Sequence, residues 1–273
     1  MGLRVNTNVF SLTAQRNLSA VSSRLSGNFN RLSSGLRIAT AADDAAGLGI
    51  SERMRAQIRS LDQAGRNAQD GISLVQTAEG ALGEVNASLL RMRELAVQSS
   101  NGTLNTGDRA VLNTEFTALR TEINRIATDT EFNDINLFDA SQTSVSIQVG
   151  TDSGDTIDVS LSDTTATTLG LNSLSLTTVS NASSSLTAID AAIDTVTTAR
   201  GDLGGTQNRL ESVVRNIATT SENLSAAESR IRDVDVAAET ADLTRNSILQ
   251  QAAVSVLSQA NTQPQIALSL LQG

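Results

Sequence analysis

Apolar residues recur at strict seven-residue intervals in the first half of the chain. The series is Met54, Leu61, Ala68, Val75, Leu82, Leu89 and Ala96. A seven-residue repeat keeps these side chains on one side of a slightly supercoiled helix, as in coiled coils. A second stripe runs beside it at Ile58 and Ile72, then shifts by one position to Ala78, Val85 and Met92. The pattern predicts a helix over residues 48–100, about 75 Å long at about 1.5 Å per residue, with a buried seam that rotates near residue 75.

A shorter helix is predicted to fold back on this one. The segment Asn101-Gly-Thr-Leu-Asn-Thr-Gly107 is rich in turn-forming residues and ends the first pattern. Beyond it, apolar residues return at helical spacing up to about residue 130, at Leu112, Phe116, Leu119, Ile123 and Ile126. A short connection between two amphipathic helices favours antiparallel packing.

The same seven-residue repeat returns near the C-terminus, from about residue 184. Its members are Ile189, Val196, Leu203, Leu210, Ile217, Leu224 and Ile231. The companion stripe is mixed, because apolar Leu186, Ile193 and Val214 share it with Arg200, Gln207, Ser221 and Glu228. A helix with such a partly polar face needs specific neighbours, so we expect the long helices and the shorter one to form a bundle.

Each end of the chain carries a narrower amphipathic stripe. The N-terminal stripe is Leu18, Val21, Leu25, Phe29 and Leu32, and the C-terminal stripe is Leu249, Ala253, Val256 and Ala260. Short single helices are marginal in water, so each is expected to need a partner, either the other stripe or a neighbouring molecule. The sole proline, Pro264, is expected to interrupt or kink the last helix before residues 266–271.

The middle of the chain has the alternation of β-strands. Val145-Ser-Ile147-Gln-Val149 and Ile157-Asp-Val159-Ser-Leu161 flank a Gly-rich and Asp-rich turn, which predicts a hairpin. The Ser/Thr-rich tract over residues 166–185 holds four leucines and is expected to cover one end of the bundle. The predicted fold class is mainly α, a long coiled-coil-like bundle with a small β-hairpin region.

Composition removes most catalytic chemistry. The chain has no His and no Cys, and all of its 20 basic residues are Arg. Enzymes near neutral pH rely mostly on His, Cys or Lys, so only carboxylates, hydroxyls and Arg remain. Adjacent Asp43 and Asp44 are the best candidates for an acidic hydrolase. We expect no enzyme activity and no cofactor.

Charge and motif content exclude other classes of function. The net charge of −9 disfavours nucleic acid, whose phosphates require a basic surface. No apolar run is long enough for a bilayer and the start lacks the features of a secretory signal, so export is expected by another route. A phosphate loop is excluded by the missing Lys, and Asp152, Asp155 and Asp158 are expected to be solvated hairpin residues rather than a calcium site.

Four runs carry a family resemblance. They are Asn30-Arg-Leu-Ser-Ser-Gly-Leu-Arg-Ile38, Asp43-Asp-Ala-Ala-Gly-Leu-Gly-Ile-Ser51, Arg93-Glu-Leu-Ala-Val-Gln-Ser99, and Ile248-Leu-Gln-Gln-Ala252 with Pro264-Gln-Ile-Ala-Leu-Ser-Leu-Leu271. Their residues, order and spacing resemble those of bacterial flagellin over residues 1–140 and 185–273. The resemblance implies a secreted, non-catalytic subunit that polymerises into the extracellular flagellar filament for swimming motility.

The resemblance also implies a domain organisation. Residues 1–40 and 237–273 would form one inner-tube (D0-like) domain through paired terminal helices. Residues 41–140 and 184–236 would form a helical rod (D1-like) domain, and residues 141–183 a short outward-facing variable region. Gly35, Asp43, Asp44, Gly47 and Gly49 would lie in the connector between the inner and outer layers, where small residues permit close chain approach.

Partners follow from the same resemblance. Besides copies of itself, the chain would meet the type III flagellar export apparatus with its chaperone, and the filament cap and junction proteins. Arg91, Leu95 and Glu115 match the stretch that packs between subunits and that the flagellin-sensing Toll-like receptor of animals recognises. Two alternatives remain open, a hook-filament junction protein and a secreted, non-polymerising adhesin or immune ligand.

Overall fold

The computed structural model describes residues 7–271, with side-chain positions for residues 7–263. Its helices are α1 (Val9–Ser34), α2 (Ala45–Ser99), α3 (Thr106–Asp129), α4 (Val179–Arg232) and α5 (Val236–Leu271). Two antiparallel hairpins separate α3 from α4, β1 (Glu131–Phe132) with β2 (Ile135–Asn136) and β3 (Ser144–Gln148) with β4 (Thr156–Ser160). The predicted fold class, mainly α with a small strand region, is confirmed.

Contacts along the backbone divide the chain into two compact units. The central unit is Gln57–Glu222, and the terminal unit is Met1–Ala56 with Asn223–Gly273. The two long helices, α2 and α4, contribute residues to both units. Each unit has its own packing.

The core of the central unit is built from the seven-residue stripes. Buried members on α2 and α4 are Leu61, Ala68, Val75, Leu82, Leu89, Ala96, Ile189, Val196, Leu203, Leu210 and Ile217, and α3 adds Phe116, Ile123 and Ala127. Ala78, Val85 and Met92 of the shifted second stripe are also buried. Burying one large apolar side chain stabilises a fold by about 1.5–3 kcal/mol, so the stripes account for the bundle.

The turn between α2 and α3 is held by groups that sequence reasoning missed. Asn105 caps α3, and its capping box is completed by the Asp108 carboxylate. The buried guanidinium of Arg109 donates to the backbone carbonyls of Ser99 (3.0 Å), Leu104 (2.7 Å) and Asn101 (2.8 Å). Because the carbonyls at a helix C-terminus lack partners within the helix, this cation closes the end of α2.

The predicted hairpin is confirmed, and a second one was not foreseen. In β3–β4, Val145 pairs with Val159 and Ile147 with Ile157, and the β4 members are buried. The shorter β1–β2 hairpin turns at Asn133 and Asp134, which both have positive φ (52° and 62°). Two residues of this kind suit a tight hairpin turn, but the flanking strands are too short to show an alternating pattern.

The Ser/Thr-rich tract packs leucines into the same core, as expected. Leu169, Leu171 and Leu176 are buried, and Ser99 Oγ on α2 donates to the carbonyl of Leu176 (2.7 Å). Helix α4 begins at Val179, earlier than the expected start near residue 184. The Asn181 N–H donates to Thr178 Oγ1 (3.2 Å), so a threonine cap sets the start that apolar periodicity does not mark.

The terminal unit pairs α1 with α5 in antiparallel fashion. Near one end of the pair, Asn8 Nδ2 donates to the carbonyl of Ala260 (2.7 Å), and near the other, Asn28 contacts Glu239. Helix α5 starts after Asp235, whose carboxylate accepts the N–H of Ala237 (2.9 Å). The helix continues through Pro264 to Leu271, so the expected interruption is wrong, and the kink stays a prediction.

Candidate functional site

The apolar stripes of the chain ends lie partly within the α1–α5 pair and partly on its outside. Leu18, Val21, Leu25, Leu32 and Ala253 are half-buried and Ala260 is buried. Phe29 (57%), Leu249 (43%) and Val256 (59%) remain exposed. Leu25 and Phe29 line a shallow groove with Leu243 and Ile248 of α5. The stripe residues therefore serve both the pairing of the two helices and an outer apolar surface.

Polar side chains hold the same pair, and sequence reasoning missed them. Asn28, only 7% exposed, donates from Nδ2 to Glu239 Oε1 (2.5 Å), and Asn246 Nδ2 donates to Asn28 Oδ1 (2.8 Å). Glu239 is also buried, and Arg31 Nη1 lies 3.9 Å from its Oε1. The spacing of Asn28 within the apolar stripe was the available clue, since it lies three residues after Leu25.

The connector between α1 and α2 needs two of its three predicted glycines. Gly35 ends α1 with φ 73°, the left-handed conformation that favours glycine. A Cβ on Gly47 would come within 2.4 Å of Asp44 Oδ2 and 2.8 Å of Ile38 Cδ1. Gly49 has nothing within 4 Å of its would-be Cβ, so no close approach requires a glycine there.

The paired carboxylates of the connector hold its backbone. Asp43 Oδ2 accepts the Thr40 N–H (2.9 Å), the Ala39 N–H (3.2 Å) and the Thr40 hydroxyl (3.0 Å). The N–H of Thr40 is the main cause of the lowered pKa of Asp43. Asp44 Oδ1 accepts the Gly47 N–H (2.9 Å) and so caps α2. The two carboxylates thus serve different backbone groups rather than one shared proton.

The return from α4 to α5 runs beside this connector. The N–H of Arg37 donates to the carbonyl of Arg232 (2.7 Å), and Leu36 forms a β-bridge with Asp233. The Arg232 guanidinium donates to Glu52 Oε1 (2.7 Å), and that bond lowers the pKa of Glu52. Hydrogen bonds therefore join the α1–α2 connector to the link between α4 and α5.

Arg91 and Glu115 meet on an exposed surface of the central unit. Arg91 Nε and Nη2 both donate to Glu115 Oε1 (2.9 and 2.8 Å), joining α2 to α3, and Nη1 donates to Glu94 Oε2 (2.9 Å). These acceptors raise the pKa of Arg91. Leu95 does not belong to this surface, because its side chain is 1% exposed and packs in the core. Its expected place in an exposed interface is corrected accordingly.

The middle-zone aspartates lie in the hairpin formed by β3 and β4. Asp155 Oδ2 accepts the N–H of Asp152 (3.2 Å), while Asp158 lies on the exposed side of β4. Within residues 7–263, no group of three or more potential metal ligands comes together. No helix in the described part of the chain is long and apolar enough to cross a membrane.

Comparison with protein families matches both ends of the chain. Residues 5–143 match the bacterial flagellin N-terminal helical region, and residues 186–271 match the bacterial flagellin C-terminal helical region. The chain belongs to the bacterial flagellin family. The matched segments contain α1 to α3 and all of α5, which are the elements that carry the sites described above.

Individual flagellins match over nearly the full length. The flagellin of Halalkalibacterium halodurans is 51% identical over 98% of this chain and 99% of its own, and that of Bacillus subtilis 43% over 99% and 100%. The crystal structure of Bacillus cereus flagellin superposes with a TM-score of 0.52 at 35% identity, covering 60% of this chain and 94% of that one.

The flagellin assignment settles the class of function. This flagellin is a structural, non-catalytic protein of the extracellular bacterial flagellar filament, which serves motility. The flagellins that it matches polymerise into filaments. Its arrangement of residues agrees with this role, since the candidate carboxylates Asp43 and Asp44 both fasten backbone in a connector.

Proposed function

We propose that this flagellin joins its neighbours in the filament chiefly through the outer apolar surfaces of α1 and α5. One observation carries the proposal, the concentration of large exposed apolar side chains on these two helices. They are Val9, Phe10, Leu12, Phe29, Val236, Ile248, Leu249, Val254 and Val256. An apolar surface of this extent on a soluble subunit marks an interaction site.

The energetics favour association through these helices. Apolar surface removed from water contributes about 25 cal/mol per Å², so repeated contacts along a polymer add up. Among the side chains described in α1 and α5, up to residue 263, the only buried apolar ones are Ala14 and Ala260, which leaves the isolated pair weakly stabilised. Packing against other copies would supply the missing burial, so order at the chain ends and assembly are coupled.

A layered filament is the arrangement that we propose. Residues 1–40 and 237–273 would form its inner layer, and residues 41–140 and 184–236 the next. Residues 141–183, with their Ser/Thr-rich hairpin region, would face outward. Gly35, Asp43, Asp44, Gly47 and Gly49 would connect the two inner layers. The hydrogen bonds of Asp43 and the close approach at Gly47 support a connector of fixed path.

Deletion of the ends tests the proposal. Removing residues 1–30 or 245–273 should leave the helicity of the central unit intact and abolish filaments, as measured by circular dichroism and by sedimentation after salt-induced assembly. Truncated chains that still pellet as filaments, seen by electron microscopy, would overturn it.

Point substitutions test the contribution of single side chains to the proposed assembly surface. Phe29→Ser and Val256→Ser each remove one exposed apolar group from the terminal helices, and the matched control is Val111→Ser on α3, which is also exposed. The first two should raise the critical concentration for assembly several-fold, and the control should not. Equal effects at all three positions would show that exposed apolar area in general, rather than the terminal surface, governs assembly.

We also propose the finer partners that follow from family membership. These are the type III export apparatus and its chaperone, the filament cap and junction proteins, and the Toll-like receptor for flagellin. The Arg91–Glu115 pair supports a charged contact surface, because both side chains are exposed and fixed against each other. Arg91→Asp should weaken receptor signalling in a cell-based assay and Arg125→Asp, a control on α3, should not; unchanged signalling with Arg91→Asp would contradict the receptor contact.

A further inference from the structure

A buried polar side chain interrupts the apolar contact between α1 and α5. Between the half-buried apolar residues of α1, the buried side chain of Asn28 is bound from two directions, by Glu239 and by Asn246. Asn28 is 7% exposed and Glu239 is 8% exposed, so both have given up most of their contact with water. Leaving either one without its partner would expose a buried polar group to an apolar seam, which is costly.

The rest of the seam discriminates poorly between registers. On α1 it consists of Ala14, Leu18, Val21 and Leu25, and on α5 the corresponding residues include Leu243 and Ala253. Small and medium apolar side chains at similar spacing pack acceptably when one helix slides by seven residues past the other. In paired helices, a single buried Asn is known to select one register because only that register satisfies its amide.

We propose that Asn28 is the residue that fixes the register of the α1–α5 pair, through its bonds to Glu239 and Asn246. A slide of α5 by seven residues in either direction removes at least one of these two partners from Asn28. Only the observed register gives the Asn28 amide both partners, the Glu239 carboxylate as acceptor for Nδ2 and the Asn246 amide as donor to Oδ1. The inference builds on the proposed assembly surface, since a single register presents one outer apolar surface to every neighbouring subunit.

The outer contacts of the pair agree with this role. Asn8 Nδ2 donates to the carbonyl of Ala260, and Ser11 Oγ donates to Asn261 Oδ1, both at 2.7 Å. These bonds are about 25 Å from Asn28 along α1, at about 1.5 Å per residue. The first bond ends on a backbone carbonyl, which other registers can also supply, and the second is exposed to competing water, so both follow the register rather than select it.

The chain has no cysteine, which makes a clean test available. Ser11→Cys with Asn261→Cys reports the observed register by disulfide formation. Ser11→Cys with Val254→Cys, or with Leu268→Cys, reports a slide of seven residues either way, about 10 Å along the helix, which is too far for a disulfide in the observed register. Filaments assembled from the full-length protein, in which the proposed assembly orders the chain ends, are oxidised and then dissociated, and the intramolecular disulfides are measured by mass spectrometry of tryptic peptides.

Asn28→Leu is the decisive variant in this background. It should raise the yield of the slid-register disulfides at least several-fold while helicity stays unchanged. Asn30→Leu is the matched control, because it makes the same substitution two residues away at an exposed position. Asn246→Leu should give a smaller change in the same direction, since Asn28 keeps its bond to Glu239.

The outcomes separate register from assembly. If Asn28→Leu gives only the observed-register disulfide, as Asn30→Leu does, Asn28 does not set the register. If the unsubstituted background already forms the slid disulfides to a similar extent, the proposal is also wrong. The two failures stay distinguishable, because the ratio of disulfides within pelleted filaments reports the register, whereas the amount of protein that pellets reports the assembly surface.

Discussion

The Arg93 guanidinium on α2 donates from Nε to Asp190 Oδ1 on α4 at 2.6 Å, and Nη2 reaches Oδ2 at 3.4 Å. This two-point, charge-assisted contact ties the long helices together outside their apolar seam. It raises the pKa of Arg93 and lowers that of Asp190 below its ordinary value of 3.8. Charged contacts of this kind determine how the protein responds to pH.

Acid should destabilise the bundle through these carboxylates. The pKa values of Asp190 and Glu122 are lowered in the folded chain, in each case mainly by a hydrogen bond from Arg. A lowered pKa stabilises the fold above the pKa of the unfolded chain, and that contribution is lost as pH falls through the folded value. We therefore expect the urea midpoint to decline below about pH 4.

Substitution of Asp190 measures its share of the loss of stability at low pH. Asp190→Asn should reduce the decline of the urea midpoint between about pH 5 and pH 2, because one titrating pair is gone. Asp194→Asn, an exposed position one turn along the same helix, is the control and should leave the decline nearly unchanged. Identical pH profiles for Asp190→Asn and the unsubstituted chain would refute the assignment.

Alkali should have little effect over a wide range. The chain has no His, Cys or Tyr, and its 20 basic residues are all Arg, so no side chain is expected to change charge between about pH 6 and pH 12. The α-amino group alone titrates there, near about pH 8. Helicity and filament stability should stay constant from neutral pH to about pH 11, as measured by circular dichroism and sedimentation.

The Arg93→Lys variant tests whether the constant charge of arginine preserves stability at high pH. A lysine loses its charge near about pH 10.4, so the contact with Asp190 should weaken there and the thermal midpoint of the variant should fall. The unsubstituted chain should show no such step. A cooperative loss of helicity in the unsubstituted chain near pH 10 would contradict the prediction.

Arg109 should be a strong determinant of stability. Arg109→Met would leave three carbonyls of the α2–α3 turn without their donor, and we expect a loss of about 3 kcal/mol in the free energy of unfolding. Arg120→Met is the matched control, because half-buried Arg120 donates one solvent-exposed hydrogen bond, to the carbonyl of Asn172, and its loss should cost less than about 1 kcal/mol. Urea unfolding measures both, and equal losses would exclude a special role for Arg109.

Two glycines of α2 should respond in opposite ways to alanine. Gly47→Ala forces the Asp44 cap aside and should destabilise the connector by about 1–2 kcal/mol. Gly49→Ala meets open space and should be neutral or stabilise by up to about 1 kcal/mol, because alanine favours the helix. Thermal unfolding compares the two variants, and a stable Gly47→Ala protein would show that the close approach is unimportant.

Much of the fold was predictable because the long helices repeat one simple pattern. The seven-residue series from Leu61 to Ala96 specified which side of α2 is buried, and the alternation at Ile157 and Val159 specified the core side of the hairpin. The start of α4 was missed because a cap at Thr178, rather than apolar spacing, sets it. The β1–β2 hairpin was missed because two-residue strands carry no pattern.

The candidate sites were predictable only in part. The family resemblance grouped Arg91 with Leu95, and the structure separates the exposed arginine from the buried leucine, which lies three residues after buried Met92. The glycines of the connector look alike in the sequence, yet only Gly35 and Gly47 meet a conformational or spatial requirement. The requirement at Gly35 is its own backbone angle and that at Gly47 is the position of Asp44 and Ile38, and both depend on the path of the connector.

By itself the sequence determined the helical class, the buried sides of the long helices, the absence of His, Cys and Lys, and the family. Periodicity and composition are properties of the chain alone, so no packing needs to be known to read them. Tertiary structure decided which polar groups leave water, above all Asn28 between α1 and α5 and Arg109 at the end of α2. Burial of a polar side chain is favourable only where another segment supplies its hydrogen-bond partner, and that is settled when the segments meet.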